Sequence, residues 1–565
     1  MAIIEGMGPQ ARFGPGQLAY QQISGDRLTR IRTLLRQRLE YGESYHRPRF
    51  EKFLRFERLI HMVTRQKNAA WKANVALPYA LSMSEQSAAI KWLSLFLTRP
   101  YVTVQERQAE MAEVAQRRQG LLDFHFTGDT DLVANSATMM RQCERYGKSI
   151  ALVQPDWTDN KTPFRGLDDL PTSLGPLARM SWKMRETRDY RIRLRPIDLT
   201  DFIGEPGRRR INGPNGMRWT FFKERYTMDQ LEEMQSQNLL GPAVAGQLVE
   251  DIKASPNDPG DTGMGDYKTR RLFLGSQIDA ERRRDPFDPD IELAWYQGYV
   301  PRNGFLDNES AMAEESDGRN PLKRLICIAN REVVLMDVAL PWDHGMWSYV
   351  EMDSIADPYD FWAKGKVEPI EHQIYAAMEL ANSRLDNVRV LVNKIIGVDG
   401  TKMPAGWKRK LIASPMGIVE TNGPPGAVLH ALQTGDVTSS SYQEQQSLFT
   451  SMQEGTGINE TLMGAPGPQR TLGEHYLKAE TSSKRLQFEL IGQAQQLLGF
   501  PYGLSHFIVS LDRQYLPLGS YMRLINPMSP DDFTEFQVDA NTLSTEDERF
   551  AYLPTGATEG INIAA

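Results

Sequence analysis

GTGINETLMGAPGPQRTLGEHYLKAE, residues 455–480, changes texture halfway along. Gly455, Gly457, Gly464, Pro466, Gly467, Pro468 and Gly473 crowd its first part, and a charged, helical pattern follows. Glycines that run into a helix can cradle a phosphate, or they can form a loop strung between two helices. A phosphate cradle of the nucleotide-binding kind needs Gly-Lys-Ser/Thr, and the stretch has none. Its flanks favour the loop. Upstream, SYQEQQSLFTSMQE opens on a capping box, Ser441 with Glu444, in which each side chain satisfies a free backbone N–H, and it stops at Gly455. Downstream, Thr471 and Glu474 form another capping box that launches a helix to about residue 498. Glu474–Lys478 and Glu480–Lys484 are favourable i,i+4 pairs on that helix. Between residues 455 and 473 only Glu460 and Arg470 carry charge. A connection this long between helices is usually functional or disordered.

Further upstream, VEPIEHQIYAAMELANSRLDNVRVLVNKI reads as a long amphipathic helix over 367–396. Ile370, Ile374, Met378, Ala381, Leu385, Val388, Val392 and Ile395 recur at spacings of four and three, which predicts one apolar face about 40 Å long. Its acids (Glu368, Glu371, Glu379) come early and its bases (Arg384, Arg389, Lys394) late, as the helix dipole favours. Gly397 is expected to end it. A turn-rich segment with short apolar strands follows, to about 436.

Residues 26–66 predict a basic amphipathic helix with Ile31, Leu34, Leu35 and Leu39 on one face and arginines on the rest. The arginines read as a solvated face, with a nucleic-acid contact as the other reading. SMSEQSAAIKWLSLFL (82–97) predicts a helix capped by Ser82 and Glu85, carrying Ile90, Leu93 and Leu97 at helical spacing and ended by Pro100. YVTV (101–104), SIALV (149–153), RIRLRPIDL (191–199) and ELAWYQGYV (292–300) read as strands, and RLICIANREVVLMDV (324–338) as a hairpin. Residues 253–292 and 303–320, rich in Asp, Gly, Pro and Arg and including Arg282–Arg284, read as exposed insertions.

The chain has 565 residues and a net charge of −7, which argues against tight, broad binding to nucleic acid. Only Cys143 and Cys327 are present, too few for a disulfide framework or a cysteine-rich zinc site, and they fit a reducing compartment. No long apolar run predicts a membrane span. MAIIEGMGPQARFGPG has no basic region followed by an apolar core, so no signal peptide is expected. Gly147-Lys148-Ser149 resembles part of a P-loop, but Gln142 stands where that loop needs glycine and a strand-like run follows where it needs a helix. No two of the eight histidines share the i,i+4 spacing of a helical metal site. No Gly-x-Ser-x-Gly elbow or Gly-x-Gly-x-x-Gly fingerprint is present, and pairs such as Asp531-Asp532 lie in polar, turn-like sequence. No catalytic residue, metal or cofactor is expected.

The order long helix, turn-rich module, shorter helix, glycine-rich loop, long helix resembles the portal proteins (head-to-tail connectors) of tailed bacteriophages. WKANVALPYALSMSEQSAAIKWLSLFLTRPYVTV, YGKSIALVQPDW, RLRPIDLTDFIGEP and TGINETLMGAPGPQRTLGEHYLKAETSSKR, with Lys484-Arg485 at its basic end, resemble successive blocks of that family. The resemblance spans roughly 55–500, and the ordered set carries it rather than any single motif. It implies an α+β fold with a mostly helical, strand-containing wing (1–366), a stem helix (367–396), a small α/β clip (397–436), a second stem helix (437–454), a glycine-rich tunnel loop (455–473), a wing helix with the C-terminal wing (474–528) and an acidic crown-side tail (529–565). Nothing after 500 reads as a long helical barrel.

The resemblance also implies a ring, usually of twelve copies, at one vertex of a virion capsid, assembled in the host cytoplasm. Double-stranded DNA would be packaged and ejected through it. Its partners would be its own copies, the major capsid protein, the terminase and then tail adaptor proteins, with no membrane and no enzymatic activity. Asn459, Glu460, Thr461, Gln469 and Arg470 would face DNA from the tunnel loop, with Arg470 as a phosphate contact or else paired with Glu460 or Glu474. Lys408, Arg409 and Lys410 in the clip would meet an acidic partner or DNA at the channel exit, or form a solvated turn. Ile370, Ile374, Met378, Leu385, Val388 and Val392 would pack the stem. A tail adaptor or minor capsid component is the alternative within virions. An enzyme would need a P-loop or an acidic metal cluster.

Overall fold

The computed structural model describes residues 25–63, 72–97, 99–167, 180–236, 291–302, 305–306, 320–392, 396–403, 421–431, 438–458, 472–516, 518–525, 533–543 and 549–555. The chain is α+β, and every strand pairing among the described residues is antiparallel. It divides into two compact units: Met1–Glu57, Ser82–Glu368 and Gly457–Ala565 form the first, and Arg58–Leu81 with Pro369–Thr456 the second.

The first unit begins with helix α1 (Gly25–Ile60). Ile31, Leu35 and Leu39 are buried and Leu34 is half-buried, because a four-residue repeat keeps one stripe on the core. Arg36 stays in solvent beside Glu40, but Arg27 is buried and bonds Asp337, 2.8 Å away. A five-stranded sheet runs in the order β4 (Phe202–Gly204), β5 (Trp219–Tyr226), β6 (Ile291–Tyr299), β7 (Lys323–Ala329), β8 (Val333–Ala339). The expected hairpin is β7–β8. Its turn residues Asn330 and Arg331 both have positive φ, and the Glu332 N–H donates to the Ala329 carbonyl at 3.0 Å, the geometry that matches strand twist in two-residue turns.

A second sheet has the order β3 (Met180–Pro196), β2 (Lys148–Leu167), β9 (Tyr349–Asp353). Helix α2 (Tyr79–Phe96) bonds α4 (Leu132–Tyr146) through Trp92 Nε1–H to Ser136 Oγ. Helix α3 (Ala112–Phe124) lies beside β1 (Val102–Glu106), which pairs with β14 (Phe550–Pro554). Thus part of the acidic 529–565 segment is a strand of this unit. It also supplies β13 (Phe533–Gln537), paired with β12 (Tyr521–Ile525). The run at 228–236 is a short helix, α5. Residues 253–290, with Arg282–Arg284, and 307–319 lie outside the described residues.

Two sequence expectations for α2 are corrected. The helix starts at Tyr79, so Ser82 is not its cap, and Glu85 bonds Arg141 and Arg145 of α4 instead. Its core-facing stripe holds Met83, Ser84, Ser87, Ala88, Lys91 and Leu95, whereas Leu93 and Leu97 are 49% and 79% exposed. The polar stripe faces inward because carboxylates wait there.

In the second unit a 3-10 turn (Glu368–Ile370) leads into α6 (Glu371–Val392), whose 22 residues make about 33 Å rather than the expected 40 Å. Gly397 does not cap it. That glycine lies in strand β10 (Ile396–Val398), opposite His430 of β11 (Leu429–Ala431). Helix α7 runs Thr438–Thr456, so Ser441 and Glu444 lie inside it and Gly455 is helical. Gly457, at φ +75°, makes the left-handed stop just past its end. Gln373 Nε2–H donates to Ser451 Oγ at 3.0 Å and Arg384 donates to Gln445 Oε1 at 2.6 Å, tying α6 to α7. Asn382 exchanges two bonds with the backbone of Val75, pinning an extended stretch against α6. As expected, a helix, α8 (Leu472–Leu498), follows the glycine-proline stretch, and a short α9 (Leu504–Tyr515) succeeds it in the first unit.

Candidate functional site

The chain crosses between the units after Glu57, before Ser82, after Glu368 and before Gly457. The first unit holds one buried cluster of charges among its helices. Lys91 of α2 lies 2.8 Å from Glu144 of α4 and 2.7 Å from Glu489 of α8, with Lys91 and Glu144 wholly buried. Lys366, two residues ahead of the turn that opens α6, donates to both Glu489 oxygens at 2.8 and 2.7 Å. Ser87, Ser354 and Gln493 complete the bonds to Glu144. Burial alone would raise the Glu144 carboxyl, but the charges of Lys91 and Lys366 outweigh it and hold it down at about 2. Burial also works against charge on Lys91, yet Glu144 and Glu489 together keep its pKa raised. Lys366 goes the other way. Burial, then repulsion from Lys91, lowers it, because it shares its carboxylates with a second ammonium.

Residues near the crossings join this cluster through neighbours. Glu57 accepts from the Tyr146 hydroxyl, two residues past Glu144. Arg49 bonds the Tyr146 and Ala363 carbonyls and reaches Glu368 at 2.8 Å. Arg485 packs on Gly457, where an added Cβ would stand 3.0 Å from Arg485 Cδ, and it lies 3.9 Å from Glu489 one turn on. The start of the glycine-rich loop is thus seated on the cluster, and Ile458 beyond it is fully buried.

Gly147-Lys148-Ser149 is structural. Gly147, at φ +97°, ends α4, and a Cβ there would lie 2.1 Å from the Ala363 carbonyl oxygen. Lys148 is buried between Glu351 (2.9 Å) and Asp353 (2.6 Å); burial opposes its charge, but the two carboxylates keep its pKa raised. Ser149 bonds Gln142.

Two histidines, His46 and His344, are packed into the fold. His46 accepts from Trp362 Nε1–H on Nδ1 and lies 3.0 Å from the Gly204 carbonyl through Nε2; burial lowers it to about 4. His344, buried, is pushed down to about 3. Both thiols are buried and raised well above their ordinary value by that burial. Among the described residues no three His, Cys, Asp or Glu side chains are grouped to hold a metal, and no helix is long and apolar enough to cross a membrane.

Of the residues expected to pack a stem, Ile370 and Ile374 are buried together with Ala377 and Ala381, and Met378 is half-buried. The stripe then emerges: Leu385 is 40% and Val388 43% exposed, and Tyr442 of α7 is exposed under the guanidinium of Arg384, 3.9 Å above its ring. Val392 ends the helix. Asn459, Glu460, Thr461, Gln469 and Arg470 lie outside the described residues, as do Lys408, Arg409 and Lys410. The charge cluster is the feature that sequence reasoning missed. Its members stand up to 398 residues apart, and the only local signal was the polar side of α2, Ser84, Ser87 and Lys91 at helical spacing. No protein-family model matches this chain, and no curated protein matches it.

Proposed function

We propose that this chain is the portal protein of a tailed bacteriophage: a ring-forming conduit at a capsid vertex for double-stranded DNA, on which terminase and later tail adaptors dock. The observation that carries the reading is the apolar stripe of α6. Its first half is buried within the second unit, and its second half, at Leu385 and Val388, is open in a single copy. A helix whose stripe continues past its own core needs a second surface, and a neighbouring copy supplies one. The order of elements supports the same reading: stem helix α6, strand pair β10–β11, stem helix α7, a left-handed stop at Gly457, the glycine-proline stretch, and α8. The acidic balance suits a channel, since motion of DNA requires many weak contacts.

Electron microscopy of the purified chain, with its mass in solution, tests this. Closed rings with a central hole are expected, and Leu385→Asp with Val388→Asp should give folded single copies. Rings that persist in that double variant would remove the stripe from the interface. A compact single copy that hydrolyses ATP would overturn the portal reading.

A further inference from the structure

Strands β4 and β5 are joined by residues 205–218, EPGRRRINGPNGMR. This loop holds Arg208, Arg209, Arg210 and Arg218 against a single acid, Glu205. Glu205 serves two of them: Arg208 Nε–H donates to it at 3.3 Å and Arg218 Nε–H at 2.6 Å. One carboxylate cannot cancel two guanidiniums. Arg209 and Arg210 are exposed, and among the described residues neither pairs with a carboxylate. Two further cations stand beside the loop. Lys323, at the start of β7, donates to the Gly345 carbonyl and lies 5.5 Å from the centre of the Tyr299 ring and 5.7 Å from that of Trp347. Arg38 of α1 donates to the Tyr296 hydroxyl and, at 2.7 Å, to the Tyr299 carbonyl. Tyr299 in turn donates its N–H to the Arg218 carbonyl at 2.9 Å. Among the described residues Lys323 and Arg38 also meet no carboxylate, and exposed Asp343 pairs with none of these cations. In a chain of net charge −7, this corner of the first unit is strongly positive. Cations crowded in this way repel one another, and a bound anion relieves that repulsion.

The loop and its neighbours enclose a cavity of about 460 Å³, in the size range of small-molecule sites. Arg208, Arg218 and Lys323 line it, with Tyr299, Trp347 and Tyr502 as aromatic walls. Its shape is set in advance. Asn212 Nδ2–H donates to the Trp347 and Tyr349 carbonyls at 2.9 and 3.0 Å, and Asn212 Oδ1 accepts from the Trp347 N–H at 2.9 Å. Trp347 Nε1–H donates to the Met217 carbonyl at 2.7 Å. Gly213, at φ +105°, approaches Tyr502 so closely that a Cβ would stand 3.1 Å from the ring. Walls fixed in this way lower the ordering cost of binding. Asn212 and Tyr502 also border an adjoining hollow of about 370 Å³, where Arg210 stands. The carboxylate in that hollow, Glu351, is held by Lys148 at 2.9 Å.

We propose that the 460 Å³ cavity binds a small phosphorylated anion of the nucleoside diphosphate class. Several negative charges on one small molecule match the surplus of cations. Glu205 occupies only part of each guanidinium, so Arg208 and Arg218 keep N–H donors for phosphoryl oxygens. The Lys323 ammonium has donors to spare beyond its bond to Gly345. The aromatic walls offer a planar base flat apolar surface. Every lining side chain belongs to the first unit of one copy, so the site stands whether or not copies form rings.

The test is calorimetric titration of the full chain with metal-free ADP at low salt, which keeps binding apart from ATP hydrolysis. Saturable binding at one ADP per chain is expected, weakened by added salt, with pyrophosphate binding less tightly because it lacks a base. Lys323→Gln and Arg208→Gln should each weaken ADP at least about tenfold, the loss expected for one hydrogen bond to a charged group. Arg107→Gln, exposed at the far side of β1, should bind like the wild type. If Arg208→Gln fails to fold, Lys323→Gln decides alone, since glutamine keeps an N–H for the Gly345 carbonyl. No saturable ADP binding by the wild type, or a Lys323→Gln chain that binds as the wild type does, overturns the proposal. So does displacement of ADP by a short DNA duplex at equal phosphate concentration, which would assign these cations to a nucleic-acid backbone. Rings that bind no ADP would overturn this site and leave the portal reading standing; an ADP-binding chain without rings would do the reverse.

Discussion

Replacing Glu489 by glutamine takes one negative charge from a cluster in which two ammoniums face two carboxylates. Lys91 keeps Glu144 at 2.8 Å, but Lys366 loses the carboxylate that receives both of its bonds to α8. Lys366 is wholly buried and Glu489 nearly so, so water cannot step in. Breaking one side of such a pair costs about 3–5 kcal/mol, most of it from the uncompensated charge left behind. That cost has a pH signature. Burial and Lys91 already lower the Lys366 pKa, and losing Glu489 lowers it further. The unfolded chain then holds a proton that the folded chain has shed, so stability rises with pH between the two pKa values, and Glu489→Gln should be less damaged at alkaline than at neutral pH. Lys366→Met with Glu489→Gln removes both members, returns the cluster to one ammonium and one carboxylate, and should recover roughly 2 kcal/mol or more of the loss. Calorimetric melting of the four variants at two pH values reads this directly. A single variant that melts like the wild type, or a double variant no better than the single, would refute the electrostatic account.

Gly457→Ala should cost about 1–2 kcal/mol, because φ is +75° there and the new methyl group presses on Arg485; an unchanged melting point would mean that the loop entrance is not held in this conformation. Stability should fall as pH drops from about 6.5 towards 4, since His46 and His344 are neutral when folded (about 4 and 3) and the unfolded chain takes up their protons first; His46 alone accounts for about 3 kcal/mol, and a flat melting profile over that range would contradict it. On the portal reading, deleting residues 459–470 should leave rings intact but reduce DNA packaging or retention; loss of rings would show that the segment serves assembly.

Some strands were legible in the sequence, while the alternating strand β14 was not. RIRLRPIDL declared itself by alternation, with Ile192 and Leu194 inside and Arg191 and Arg193 outside. The β7–β8 hairpin was legible because Asn330-Arg331 interrupts two apolar runs. Helix existence was also plain for α1, α6, α7 and α8, while their ends were not. Ser82 and Ser441 mimic caps from inside helices that begin at Tyr79 and Thr438. Gly397 and Gly455 looked like stops, yet one is in a strand and the other in a helix, and only Gly457 adopts the left-handed backbone that a stop requires. The inward face of α2 misled because periodicity scores apolar residues, and that face is polar. Lys91 reads as a surface residue until Glu144 and Glu489 arrive from distant parts of the chain. The apolar stripe of α6 was legible as a stripe, but its division into a covered and an open half depends on which other segments fold against α6.

The pairing of β1 with β14 joins Val102 to Pro554, and Arg118, fully buried on α3, bonds the Thr542 carbonyl and the Tyr552 hydroxyl while lying 4.2 Å over the Phe550 ring. While the ribosome is still making residues 542–554, β1 has an open edge and Arg118 lacks these three partners. That corner of the first unit therefore closes late in translation. Until then the nascent chain presents an unpaired strand to its neighbours, and copies translated side by side on one messenger are exposed to edge-to-edge pairing. The order of synthesis thus makes this strand pair a timing element: the first unit is not finished until the chain is complete through residue 554.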